Sequence, residues 1–293
     1  MGQRIRQAGD TYMNTTHATR GATILQRVAL LGALLLAPLV ALADDDLARF
    51  APTAGTGSTA ADFDHGPWQR FLDTYLVTDD PRGVNLVRYA SVSAADRAKL
   101  DAHIDTLTTA DPRTASRDAQ MAYWTNLYNA VTVRLILDDP SIDSIRDLSS
   151  GLFSRGPWKR DVVTVSGVDL SLDDIEHGIL RPYFTDARIH FAVNCASIGC
   201  PDLAASAYTA ENLEALLDGG ARAYLAHPRG LRLEGSTLHL SSIFDWYRED
   251  FPADRDAFQA WLADYAPEAQ RAALRAFDGR IRHDYDWSLN RAR

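Results

Sequence analysis

Cysteine is scarce in this chain: there are two in 293 residues, Cys195 and Cys200. At most one intrachain bridge can form, so a hydrophobic core and not a disulfide framework must carry the fold. Positive charge is also in deficit. Thirty Lys and Arg stand against 39 Asp and Glu, a formal net charge of −9. That balance argues against nucleic-acid binding, which needs clustered cations, and against docking to an anionic membrane surface. No repeat at fixed period is present. Neither H-x3-H nor H-E-x-x-H occurs, and Ser197 lacks a G-x-S-x-G elbow, so zinc-peptidase and serine-hydrolase chemistry are disfavoured. The C-x4-C spacing of the two cysteines is not by itself a zinc signature.

Only one long apolar run is present, Val28 to Val40. Arg20 and Arg27 lie on its N-terminal side, and Ala41-Leu42-Ala43 follows it as a small-x-small cleavage pattern. A basic leader, a short apolar stretch and an A-x-A site together describe a secretory signal peptide over residues 1–43. The run is short for a bilayer span and contains Pro38, so an uncleaved anchor is the second reading. Met13 is an alternative start. Removal of residues 1–43 takes away four arginines and one aspartate, leaving −12 on an exported chain of about 250 residues. That length is most consistent with one domain. A periplasmic or secreted location follows, with no membrane insertion after cleavage. Residues 44–62, rich in Ala, Thr, Gly, Ser and Asp, read as a flexible linker.

Beyond the linker the chain reads as helix-rich. Trp68, Phe71, Leu72, Tyr75 and Leu76 recur at helical spacing, and Ser93-x-x-Asp96 opens a second helix. A third, from about Arg117 to Leu137, is apolar nearly all round and so belongs at the centre of the fold. Buried amides need partners, which makes Asn126 and Asn129 on that helix notable. Val162–Val165 and Val168–Leu170 form a hairpin about Ser166-Gly167. Ser171-x-x-Asp174 caps a helix carrying Glu176 and His177. Residues 188–195 read as a buried strand, and residues 231–240 as a second hairpin. Strands are few and clustered in the second half: an α+β domain over 63–293, helix-rich, with a small and mostly antiparallel sheet.

The stretch His190-Phe191-Ala192-Val193-Asn194-Cys195-Ala196-Ser197-Ile198-Gly199-Cys200-Pro201 holds both thiols and breaks from an apolar run into a small-residue loop. Reactive groups are often placed in this way. In an exported protein a Cys195–Cys200 disulfide is one reading, a free catalytic thiol a second, and inert buried thiols a third. If Cys195 is a nucleophile it needs a base. On a regular strand His190, five residues earlier, would face the opposite side about 16 Å away at ~3.3 Å per residue. His177, with Glu176 to orient it, is therefore the preferred partner. Cys200 with His190 is the alternative pair. Asn126 and Asn129 could hold the 195–201 loop or supply an oxyanion donor. Asp245-Trp246-Tyr247, together with Asp286-Trp287, mixes carboxylate and aromatic groups in the manner of a peptide or sugar pocket. A metal site from Glu176, His177, His190 and Cys200 is disfavoured, because adjacent residues diverge by about 100° on a helix. No cofactor is expected.

Five blocks coincide in one resemblance. They are Ala122-Tyr123-Trp124-Thr125-Asn126-Leu127-Tyr128-Asn129-Ala130, Leu170 to Arg181, His190 to Pro201, Ser242 to Tyr247, and Tyr285 to Asn290. Together they resemble the bacterial proteins of the domain-of-unknown-function 547 family, over about 120–290. The family brings no settled activity. Its Cys and His content is similar to that of papain-like and transglutaminase-like thiol enzymes, which implies such a layout here by analogy. The expectation is an exported thiol-dependent hydrolase or acyltransferase acting on an amide, peptide or small-molecule substrate. Cys195 would attack, His177 would carry the proton, Glu176 would orient it and Asn126 would support the site, with His190, Asn129, Asp245 and Trp246 as binding residues. The rival reading is a non-catalytic binding or interaction module of the cell envelope.

Overall fold

The central helix dictates the architecture. In the computed structural model, which describes residues 46–52, 63–149 and 156–292, α3 runs Arg117–Asp138. Ser116 caps it by accepting a hydrogen bond from the Ala119 N–H. Trp124, Leu127 and Val131 are fully buried, as its all-round apolar character requires. Two helices precede it: α1 (Gly66–Tyr75) and α2 (Ala94–Thr109). The Ser93 side chain caps α2 by accepting from the Asp96 N–H. A two-residue pairing of β1 (Leu76–Val77) with β2 (Leu86–Val87) follows α1. The hairpin of β3 (Asp161–Val165) and β4 (Val168–Ser171) turns at Ser166 and Gly167, both at positive φ. All these elements contribute to one hydrophobic cluster built around α3.

A second cluster forms in the C-terminal part. It brings together α4 (Leu213–Ala226), the antiparallel pair β5 (Leu231–Glu234) and β6 (Thr237–Ser241), and α5 (Arg255–Tyr265). Next come α6 (Glu268–Arg275) and β7 (Arg280–Asp284), the latter pairing parallel with β6. The domain is α+β and helix-rich, with three small sheets among the described residues, two antiparallel and one mixed.

Three expectations need correction. Residues 188–195 are not a strand. Ala187–Phe191 is a 3-10 turn, and its helical bonding continues as Ala192 N–H and Val193 N–H donate to Ile189 O. Ile189, Ala192 and Val193 pack into the first cluster, whereas Phe191 packs into the second. Burial between two cores makes the run continuously apolar, and periodicity alone cannot separate that from a buried strand. Secondly, Asp174–Leu180 is a π-helical segment that passes into the short helix Arg181–Phe184. Such segments carry one extra residue per turn and often mark functional sites. Thirdly, part of the proposed linker is packed, since Phe50 is fully buried edge-on to Trp124 at 5.1 Å. The rest of 44–62, apart from residues 46–52, and the signal peptide of 1–43 lie outside the described residues. Among the described residues no helix is long and apolar enough to cross a membrane.

One buried histidine sets an acid limit on this fold. His65, at the start of α1, is 6% exposed, and its ring lies 6.1 Å from that of His103. Burial, with a smaller contribution from His103, lowers its pKa from 6.5 to about 4. The unfolded chain protonates this ring near pH 6.5, but the folded protein does so only near pH 4. Stability is therefore held above pH 6.5 and lost as the pH falls through that window, by about 2–3 kcal/mol from this group. Urea unfolding at pH 7 and pH 4.5 should show the loss in the wild type and a smaller one in His65→Gln. Equal losses in the two proteins would contradict the assignment.

Candidate functional site

The Cys195 loop is fixed from three sides. The Asn129 side chain on α3 donates to Ala192 O at 2.9 Å and accepts from the Asn194 N–H at 2.8 Å. Asn194 in turn donates to Pro201 O at 2.7 Å and accepts from the Ala196 N–H at 2.9 Å. From the second core, the Tyr224 hydroxyl donates to Gly199 O at 2.6 Å. The C-terminal segment closes the third side, where Ile198 N–H and Gly199 N–H donate to Ser288 O and Asp286 O, both at 2.7 Å. Gly199 is required for that approach, because a Cβ would lie 2.7 Å from Asp286 N. Within this frame Ala196 adopts φ +58°, a left-handed conformation that costs a non-glycine residue about 1–2 kcal/mol. It turns the chain sharply between Cys195 and Ser197.

Both cysteines are free thiols, with Sγ atoms 3.1 Å apart. Cys195 is half-buried and Cys200 buried. The Ser197 and Tyr285 hydroxyls lie 3.2 and 3.0 Å from Cys195 Sγ and 2.9 Å from each other. These contacts divide the roles of the two thiols. The Cys200 thiol hydrogen bond lowers the pKa of Cys195 and outweighs the opposing effect of burial, and the Ser197 and Tyr285 hydroxyls add to it. Burial, reinforced by the Cys195 charge, pushes Cys200 well up. Of the two, Cys195 is the thiol whose ionisation the surroundings favour.

A cavity of about 830 Å³ opens on Cys195. His190, Glu176, His177 and Trp246 all line it. The two histidines differ in which nitrogen is free. His190 Nε2 lies 2.6 Å from Asp250 Oδ2. A carboxylate can only accept, so Nε2 carries the proton and, in the neutral ring, Nδ1 holds the lone pair. That Nδ1 is buried without a hydrogen-bond partner among the described residues, 3.9 Å from Glu176 Oε1. His177 is the reverse case. Its Nδ1 lies 2.7 Å from Arg181 Nη1, which can only donate, so its lone pair is already engaged. Its side chain is 38% exposed, and its nearest carboxylate is Asp173 at 3.8 Å.

The pairing of His177 with Glu176 is therefore not what the structure brings together. Glu176 is buried and faces His190, and its charge adds to burial in raising the pKa of the Tyr247 hydroxyl. The Tyr247 ring stacks on His190 at 4.0 Å, and Arg181 lies over the same ring at 5.0 Å. Arg181 also reaches Asp250, through Nε at 2.5 Å. Burial alone would raise the Asp250 carboxyl, but hydrogen bonds from His190 and Arg181 hold it well below the ordinary carboxylate range. The separation of about 16 Å between His190 and Cys195 assumed an extended chain at ~3.3 Å per residue, and that geometry does not apply to a helical turn.

Asn126 does not support this site. Its amide clamps the Tyr208 backbone, donating to Tyr208 O at 2.7 Å and accepting from the Tyr208 N–H at 3.0 Å. Asn129 takes the holding role instead. Trp246 is 43% exposed and stacks with Trp287 at 5.5 Å in the cavity wall. Asp245 is exposed and does not line the cavity. Two residues of the site, Tyr285 and Asp250, were not singled out from sequence, whereas Tyr247 belonged to the expected aromatic pocket. Tyr247 and Tyr285 stand inside the aromatic blocks at 242–247 and 285–290, where the clustering is itself a signal. Asp250, within Arg248-Glu249-Asp250, lies outside every block and carries no local signature.

No curated protein and no solved structure matches the chain. The family model described as "Protein of unknown function, DUF547" matches residues 112–225, a span that includes α3, Glu176, His177, His190 and both cysteines and stops before Tyr247, Asp250 and Tyr285. Over those residues the chain is similar to the DUF547 family, whose function is unknown.

Proposed function

We propose that this protein is a thiol-dependent hydrolase or acyltransferase acting on amide or peptide bonds, in the periplasm or outside the cell, where its N-terminal segment would direct it. One observation carries the reading. Cys195, a thiol whose pKa its neighbours lower, lines the same cavity as a buried histidine whose Nδ1 is free and whose Nε2 is held by a carboxylate. Nucleophile, base and orienting group are the parts that acyl transfer by a thiol requires, and they recur on unrelated folds. Cys195 Sγ attacks the carbonyl carbon. His190 Nδ1 takes the Cys195 thiol proton and gives it to the departing amine as the C–N bond breaks, and Asp250 stabilises the intervening imidazolium. Water or an acceptor nucleophile then releases the acyl group from Cys195. The aromatic wall of Trp246, Trp287 and Tyr247 suits the apolar flank of a peptide-like substrate.

The half-exposed Trp246 equally favours a second reading, a binding module that holds such a ligand without reacting. Incubation of the reduced protein with peptide p-nitroanilides, followed by an acid quench, separates the two. The enzyme reading predicts an acyl adduct on Cys195 by mass spectrometry and nitroaniline release that is abolished in Cys195→Ala. Ligand binding that is unchanged in Cys195→Ala, with no adduct in the wild type, would favour the binding module.

A further inference from the structure

The second thiol takes no covalent step in acyl transfer, yet it is built closely into the site. Cys200 Sγ accepts a hydrogen bond from the Cys195 N–H at 3.0 Å and lies 3.1 Å from Cys195 Sγ. A disulfide S–S bond is about 2.05 Å long, so closure asks for a shift of only about 1 Å. Cys200 is 4% exposed, whereas Cys195 is half-buried in the cavity wall. An oxidant entering the cavity therefore meets Cys195 as the more exposed thiol. The Ser197 and Tyr285 hydroxyls converge on Cys195 Sγ and offer donors to a small oxygen-containing molecule arriving there.

We propose that Cys195 and Cys200 form a hydroperoxide-reacting couple, in which Cys195 is oxidised first and Cys200 resolves it. The Cys195 thiolate attacks the terminal oxygen of the hydroperoxide, ROOH. An S–O bond forms, the O–O bond breaks, and the alkoxide leaves as ROH with a proton from solvent. Cys195 is now a sulfenic acid, two electrons more oxidised, and the peroxide is reduced by two. The Cys200 sulfur then attacks the Cys195 sulfur. The S–S bond forms, the S–O bond breaks, and hydroxide leaves with the Cys200 proton as water. A dithiol reductant restores both thiols by exchange. The couple goes beyond the acyl-transfer reading and does not need it, since it requires only the Cys195 thiolate and its neighbour.

The test uses the reduced full-length chain and one equivalent of hydrogen peroxide. The folded wild type should lose two hydrogen atoms in mass, with both thiols protected from alkylation until reduced, at least about tenfold faster than the same protein in urea. Cys200→Ser should stop at a sulfenic acid on Cys195, trapped by dimedone. Cys195→Ser should leave Cys200 unoxidised over the same time. Oxidation no faster in the folded protein than in urea overturns the proposal, as does bridging between two chains or the absence of a dimedone adduct in Cys200→Ser. The comparison of one sequence folded and unfolded stands even if a variant fails to fold. Parallel p-nitroanilide assays keep the two readings apart. Amidase activity without fast peroxide oxidation sinks only the couple, and the reverse sinks only the acyl-transfer reading.

Discussion

His190→Asn is expected to lower Cys195-dependent nitroanilide turnover by about 100- to 10,000-fold, the range typical for loss of a positioned acid or base. His177→Gln should leave turnover near wild type. The contrast rests on lone pairs. Asp250 engages His190 through Nε2–H and leaves Nδ1 free within the site, whereas Arg181 occupies the lone pair of His177. Asp250→Asn should fall between the two, because an amide still holds the ring but does not stabilise the imidazolium. Single-turnover acylation measured across the three variants checks the order. A larger loss in His177→Gln than in His190→Asn would return the role of base to His177.

The second large effect concerns the frame of the site. Asn129→Ala removes two buried hydrogen bonds to the backbone, at Ala192 O and the Asn194 N–H. Each stranded group costs about 1–3 kcal/mol, so the variant should lose roughly 2–5 kcal/mol. Asn126→Ala strands the Tyr208 N–H and O in the same way and should lose a similar amount. Only Asn129→Ala, however, loosens the chain leading into Cys195. Under conditions where both variants remain folded, denaturant unfolding should place them close together, while thiol alkylation at neutral pH should slow in Asn129→Ala alone. Equal alkylation rates in the two would show that the Asn129 clamp does not set the geometry of Cys195.

These two asparagines also show what was legible in the sequence. Their burial followed from the all-round apolar character of α3, but their partners did not. Both amides point away from their own helix to backbone groups more than 60 residues distant, and no local pattern encodes that pairing. The helices and the two hairpins were readable because period, caps and turn residues agreed along them. The run at 188–195 was not, because burial between two cores erases the period that would distinguish a strand from a helical turn. That one local error displaced the site. It placed His190 far from Cys195 and gave Glu176 to its sequence neighbour His177, whereas the π-helical segment turns Glu176 toward His190. Asp250 was beyond reach for a different reason: it is an ordinary carboxylate in a charged turn until tertiary contact joins it to His190 and Arg181.

Folding lowers the pKa of the Cys195 thiol. The rate of Cys195 alkylation by iodoacetamide as a function of pH, read by peptide mass spectrometry on the reduced protein, tests it most directly. The expected midpoint lies below the value of about 8.5 for a free cysteine and moves up toward that value in Tyr285→Phe and Ser197→Ala, while Cys200 stays unlabelled. A midpoint at or above the free-cysteine value, or labelling of Cys195 only after unfolding, would contradict it.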